Sequence, residues 1–157
     1  MSGRLAWDIE SVNQRGSSAT EAVDLDGKQV LVVEDDQQVG RMLTVMLQRQ
    51  GLQVAWVDQV AAARKALADP LEFDLLLTDV VLPGAESGAD LAASLRARFP
   101  DFPIIITTGY DRSSVGQHPG LLESVTFLPK PFTLGEVQAA LSAELGCRPS
   151  GRDRAGA

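Results

Sequence analysis

The chain has 157 residues, 45% of them hydrophobic and 22% charged, which suits one soluble folded domain with a core of ordinary size. A formal net charge of −7 with scattered basic residues weighs against direct contact with nucleic acid. The longest apolar stretches are of strand length and broken by Asp, so membrane insertion is not expected. Met1 to Arg15 lacks an apolar signal core, and the one cysteine, Cys147, fits a reducing cytoplasm and rules out an intramolecular disulfide.

Residues 1–26 read as an N-terminal extension or linker, because "NQRGSSATEA" is small, polar and without periodicity. A folded segment, 27–147, follows, and 148–157 read as a C-terminal tail. "KQVLVVE" is a buried strand by its Val and Leu content. Asp36 is placed to cap a helix whose apolar positions are Val39, Met42, Leu43, Met46 and Leu47, and Gly51 closes it. "QVAWV" is a second strand, and Val60 to Leu67 form a short helix stopped by Asp69-Pro70. "DLLLTD" is the third strand; Leu91, Leu95 and Phe99 mark the helix after it, ended by Pro100. "PIIITT" and "SVTFLP" are the fourth and fifth strands. Between them Gly116, Pro119 and Gly120 leave little room for a regular helix, and the lone histidine, His118, reads as a solvated loop residue. "TLGE", Thr133 to Glu136, matches a capping box opening a last helix with Leu134, Val137, Leu141 and Leu145 on one face.

Strand and helix alternate, which is the pattern of right-handed βαβ crossovers around a parallel sheet with helices on both faces. In such sheets ligands gather at the carboxyl ends of the strands. Glu34-Asp35-Asp36, Thr78-Asp79, Thr107-Thr108-Gly109 and Lys130-Pro131 stand at those ends. Three converging carboxylates, Glu34, Asp35 and Asp79, repel by about 4 kcal/mol per close pair at an effective dielectric of roughly 20. That crowding is useful if it holds a hard divalent cation through oxygen ligands, and Mg²⁺ suits a site it shares with a phosphate. Lys130 adds a positive charge and a threonine hydroxyl adds a donor, so the set points to a metal and a phosphoryl group. A slip of one in strand register exchanges Thr107 for Thr108 at the site.

"VLVVEDD", "DLLLTDVVLPG", "IIITTGY" and "FLPKPF", in that order, resemble the receiver domain of two-component response regulators over about Lys28 to Cys147. The resemblance implies an α/β, flavodoxin-like, doubly wound five-stranded parallel sheet of strand order 2-1-3-4-5, with a fourth helix that is short or irregular. It implies Asp79 as phosphoacceptor from a phosphohistidine of a histidine kinase or histidine phosphotransfer protein. Asp35 would bind Mg²⁺ directly, with Glu34 assisting and the Val81 backbone carbonyl as a further ligand. Thr108 and Lys130 would contact the phosphoryl group, the Lys130-Pro131 bond would be cis, and Phe127 would sit at an aromatic switch position where tyrosine is common. "GAES" is one residue longer than the commonest spacing. With "TTGYDRS" and the weak fourth helix, this resembles receivers associated with hybrid histidine kinases and puts dimerisation through the fourth helix in doubt. No pattern for an output domain follows Cys147, so output through protein contact or onward relay is expected, and the chain is read as a signalling protein and not an enzyme.

Two other functions fit parts of the pattern. A Mg²⁺-dependent phosphohydrolase of the haloacid dehalogenase type also uses an Asp nucleophile on a parallel sheet, but its D-x-D pair is missing here, where the acids after strand one are adjacent. A phosphorylation-independent binding module of receiver shape would not need the intact set of acids, hydroxyl and lysine.

Overall fold

Three short runs of Val, Leu and Ile, too apolar to leave either face in water, form the middle of the sheet, flanked by two less buried edge strands. The computed structural model describes residues 24–68, 72–109, 115 and 117–146. The expectations for residues 1–23, for the Asp69-Pro70 stop, for Tyr110 to Ser114 and for Cys147 and the tail lie outside them. The strands are β1 (Gln29–Val33), β2 (Gln53–Val57), β3 (Leu75–Asp79), β4 (Ile104–Thr108) and β5 (Thr126–Pro129). All pairs are parallel, in the order β2-β1-β3-β4-β5. The helices are α1 (Gln37–Arg49), α2 (Val60–Ala66), α3 (Gly88–Arg98), α4 (Pro119–Ser124) and α5 (Leu134–Leu145).

The two-residue period of a strand sends alternate side chains to opposite faces, and the core is split accordingly. Val30 and Val32 meet Leu43 and Leu47 of α1 and Val137, Ala140 and Leu141 of α5. Leu31 and Val33 meet Val60 and Ala63 of α2, Leu91, Ala92 and Leu95 of α3, and Leu121 of α4. Such a doubly wound sheet reverses its strand order between β1 and β3, and the crevice at that switch, beyond their carboxyl ends, is where polar residues collect.

Local chemistry sets the helix ends. Asp36 Oδ1 accepts the Gln38 and Val39 N–H groups and so starts α1. Gly51, at φ +95°, takes the left-handed conformation that ends the turn after it. The capping box expected at Thr133 and Glu136 is present at the start of α5. The buried stripe of α5 is Val137, Ala140, Leu141 and Glu144, while Leu134 is exposed at the first turn and Leu145 only half buried. The fourth helix is short, six residues, and is tied to α3 at both ends. His118 Nε2 lies 2.8 Å from Asp90 Oδ1, and Arg96 donates to the Ser124 carbonyl at 2.7 Å. His118 is therefore a partnered residue, not the solvated one the loop-like sequence suggested. The Lys130-Pro131 bond is cis.

Candidate functional site

Two strand ends place the acids. Glu34 and Asp35 leave the end of β1, Asp79 ends β3, and one carboxylate oxygen from each lies within 4.8 Å of the others. They differ in exposure: Glu34 is buried at 1%, Asp79 at 8%, and Asp35 faces solvent. Glu34 is fixed from several sides. Its Oε1 accepts the Asp36 N–H at 3.0 Å, its backbone N–H donates to the Val57 carbonyl at 3.0 Å, and its own carbonyl accepts the Trp56 indole N–H at 2.9 Å.

Lys130, just past β5, reaches across the crevice. Its Nζ donates to Glu34 Oε2 and Asp79 Oδ2, each at 2.9 Å. Burial pushes the Glu34 carboxyl above its usual range, opposed by the Lys130 and Asp36 hydrogen bonds. Burial pulls Lys130 down, but its bonds to Asp79 and Glu34 outweigh that and hold the ammonium above its usual range. The lysine thus stays charged between the two carboxylates. An all-oxygen set of three acids on a partly open rim has the donor chemistry of a hard divalent cation, so the residues present fit Mg²⁺.

The remaining expected residues stand nearby. Val81 is 68% exposed, and its N–H points at Asp79 Oδ1 across 3.4 Å, a weak contact. Thr107 pairs in register with Asp79, and Thr108 lies one step further toward the rim, beside Pro129. The two alternate in face. Thr107 shares that of Ile105, is fully buried, and its hydroxyl has no hydrogen-bond partner among the described residues. The Thr108 carbonyl accepts the Lys130 N–H at 2.7 Å, which joins the ends of β4 and β5. Phe127 is half buried against the core that holds Val115 and Leu121, on the α4 side of the sheet.

Other residues around the site did not stand out in the sequence. α3 begins directly behind Asp79: the Gly88 N–H donates to the Val80 carbonyl at 2.8 Å, and a Cβ on Gly88 would lie 1.6 Å from the Asp79 carbonyl oxygen. Ser87 and Asp90 form a capping box there, and the same Asp90 takes the contact with His118. The Ser87 N–H first, and His118 second, hold the Asp90 carboxyl below its usual range. Arg64 of α2 pairs with Glu86 in the β3–α3 loop and donates to Ser94 of α3. Away from the site, buried Glu144 of α5 accepts the Ile104 N–H at 2.9 Å and the Thr126 hydroxyl at 2.7 Å, joining the first residues of β4 and β5.

The strand order, with acids and a lysine at the carboxyl edge of the sheet, defines a class: small doubly wound domains of flavodoxin-like topology. Within it, the chain belongs to the response regulator receiver domain family, whose profile matches residues 30–142. It is 36% identical over 116 residues to the swarming motility regulation protein RssB of Serratia marcescens, covering 73% of this chain and 51% of that protein. It is 32% identical over 110 residues to the response regulator receiver protein CpdR of Brucella abortus, covering 70% of this chain and 90% of that one. The chain spans about half the length of RssB and of the similarly matched PmrA of Pseudomonas aeruginosa and FixJ of Azorhizobium caulinodans. Among solved structures, the non-phosphorylated HemR receiver domain of Leptospira biflexa superposes with a TM-score of 0.66 at 30% identity, covering 78% of this chain and 98% of that one. A receiver protein of Sinorhizobium medicae, 23% identical with a TM-score of 0.71, shares the fold over 80% of this chain and all of its own. Among the described residues, no helix is long and apolar enough to cross a membrane.

Proposed function

We propose that Asp79 accepts a phosphoryl group from a phosphohistidine of a histidine kinase or histidine phosphotransfer protein, in a Mg²⁺-dependent reaction in the cytoplasm. The observation that carries this reading is the convergence of Glu34, Asp35 and Asp79 with Lys130, whose ammonium bridges two of the three acids. A carboxylate oxygen of Asp79 attacks phosphorus in line as the P–N bond to the donor imidazole breaks, giving a mixed anhydride and a free imidazole. Asp35 and Asp79, with Glu34 and the Val81 carbonyl, would hold Mg²⁺, which when bound neutralises charge on the oxygens of the transferring group. Lys130 exchanges its bond to Asp79 for one to a phosphoryl oxygen, and the Thr108 hydroxyl donates to another.

Phosphorylation then draws Thr108 toward the site, and Phe127 changes rotamer behind it, altering the α4 side of the sheet for a protein partner. Association with hybrid histidine kinases is part of the proposal, supported by the longer β3–α3 loop and the six-residue α4. The test is mass spectrometry after incubation with Mg²⁺ and acetyl phosphate, with peptide mapping of the added phosphate. Label on Asp79, lost in Asp79→Asn and without Mg²⁺, is the expected result. Equal labelling of Asp79→Asn would remove Asp79 from the role, and an unlabelled wild type would favour a phosphorylation-independent binding module.

A further inference from the structure

We infer that Trp56 is a positioning residue for the cation site, holding the loop that carries Glu34 and Asp35 through its indole N–H and through the seat its ring takes on Gly40. This rests on the Mg²⁺ reading above. Trp56 is on the edge strand β2, and nothing in its own neighbourhood in sequence bears on phosphoryl chemistry. Its Nε1 donates to the Glu34 carbonyl at 2.9 Å, one residue past the end of β1, where the sheet ladder gives way to the acidic loop. The ring sits against α1: a Cβ on Gly40 would fall 2.1 Å from Cζ2 and 2.2 Å from Cε2. Glycine in a helix interior costs about 1 kcal/mol relative to alanine, and here it opens the space the indole occupies.

The same side chain therefore touches both ends of the acidic loop. It holds the carbonyl of Glu34 on one side and, through Gly40, the first turn of the helix that Asp36 caps on the other. Between them stands Asp35, the exposed acid, whose carboxylate takes no hydrogen bond among the described residues to set its direction. Preorganisation of Asp35 comes from the backbone on either side of it, and Trp56 is the side chain that spans that backbone. A cation then meets ligands already in place, without the cost of ordering the loop.

Calorimetric titration with Mg²⁺ separates this role from general packing. Trp56→Phe keeps an aromatic ring but loses the N–H, and Gly40→Ala keeps the indole but displaces it, ring and N–H together, since the added Cβ would also fall 2.7 Å from Nε1. Each is expected to weaken Mg²⁺ binding about 3- to 10-fold, the scale of one hydrogen bond. Val54→Ala, which trims a half-buried β2 residue elsewhere in the same core, is the packing control and is expected to lower the melting temperature with affinity unchanged. In a Trp7→Phe background, where Trp56 is the sole tryptophan, saturating Mg²⁺ is expected to shift its fluorescence; this arm leaves Trp56 intact and does not depend on a destabilised variant. Unaltered affinity in both Trp56→Phe and Gly40→Ala, or affinity that falls equally in Val54→Ala, overturns the inference while leaving the cation site standing. Wild-type protein that binds no Mg²⁺ overturns the cation site itself and this inference with it.

Discussion

Removing the Lys130 charge tests the electrostatic design of the crevice more directly than removing any acid. Each of its two N···O contacts, at 2.9 Å, is worth a gross attraction of about 6 kcal/mol at an effective dielectric of about 20. Without it, carboxylate oxygens within 4.8 Å of one another repel by about 3 kcal/mol or more per pair on the same scale. Both figures are reduced in water-exposed surroundings, and the lysine side chain is 23% exposed, its partners Glu34 and Asp79 only 1% and 12%. Breaking a fully buried pair costs about 3–5 kcal/mol, so Lys130→Met should cost about 2–3 kcal/mol, or about 10 °C in melting temperature for a domain of this size. That loss applies in EDTA. With millimolar Mg²⁺ the cation supplies the missing charge and no longer competes with an ammonium for Glu34 and Asp79. The variant should therefore be stabilised more than wild type, closing over half of the gap. Parallel thermal melts by circular dichroism measure both conditions. A gap that stays constant from EDTA to Mg²⁺, or a variant as stable as wild type without metal, would refute the reasoning.

Other perturbations probe the scaffold around that crevice. Glu144→Ala leaves the buried Ile104 N–H and Thr126 hydroxyl without their acceptor and should cost about 1–3 kcal/mol in urea denaturation, with Glu144→Gln recovering part of the loss. Thr133→Ala removes the acceptor for the Glu136 N–H and should cost about 1 kcal/mol by the same measurement. Asp90 has a carboxyl held below its ordinary value of 3.8, so its native state binds fewer protons than the unfolded chain. The stability it contributes is complete above that value and is lost as pH falls through the lowered one. Acid unfolding of Asp90→Asn should lack that part of the pH slope, and a slope identical to wild type would count against the Ser87 and His118 contacts as its source.

The sheet was readable because its chemistry is one-dimensional. "VLVV", "LLL" and "III" are too apolar for one-sided strands, and each ends in residues that only make sense at a rim. Asp36, Gly51 and Thr133 were readable for the same reason, since caps and left-handed glycines act on their own neighbours. The contacts that escaped are those between residues far apart in the chain. Trp56 needed Gly40 sixteen positions earlier, and His118 needed Asp90 twenty-eight positions earlier. The Ser87 box was missed because its third partner is Asp where Glu or Gln is the usual signature. Glu144 did leave a trace. With Val137, Ala140 and Leu141 it falls at helical spacing on the buried face, and a carboxylate there demands donors. What periodicity does not say is which donors, because the first residues of two strands meet only after the sheet has formed. The same holds for Lys130: its place on the rim followed from the fold, but its choice of Glu34 as second partner depends on a buried carboxyl that "VVEDD" does not distinguish from its neighbours.

The absence of a side chain at Gly88 has a consequence for how this crevice can vary. Helix α3 abuts the carbonyl of Asp79 with no slack, so neither can shift without the other, and a methyl group at that junction has nowhere to go. Mutability is thereby partitioned: the exposed turn from Pro83 to Ala85 can lengthen, while Glu86 is tied to Arg64 and the hinge behind it is frozen. Anyone transplanting a foreign β3–α3 loop onto this scaffold has room for new residues only ahead of Ser87, and the glycine after it is the fixed point from which every such graft must be built.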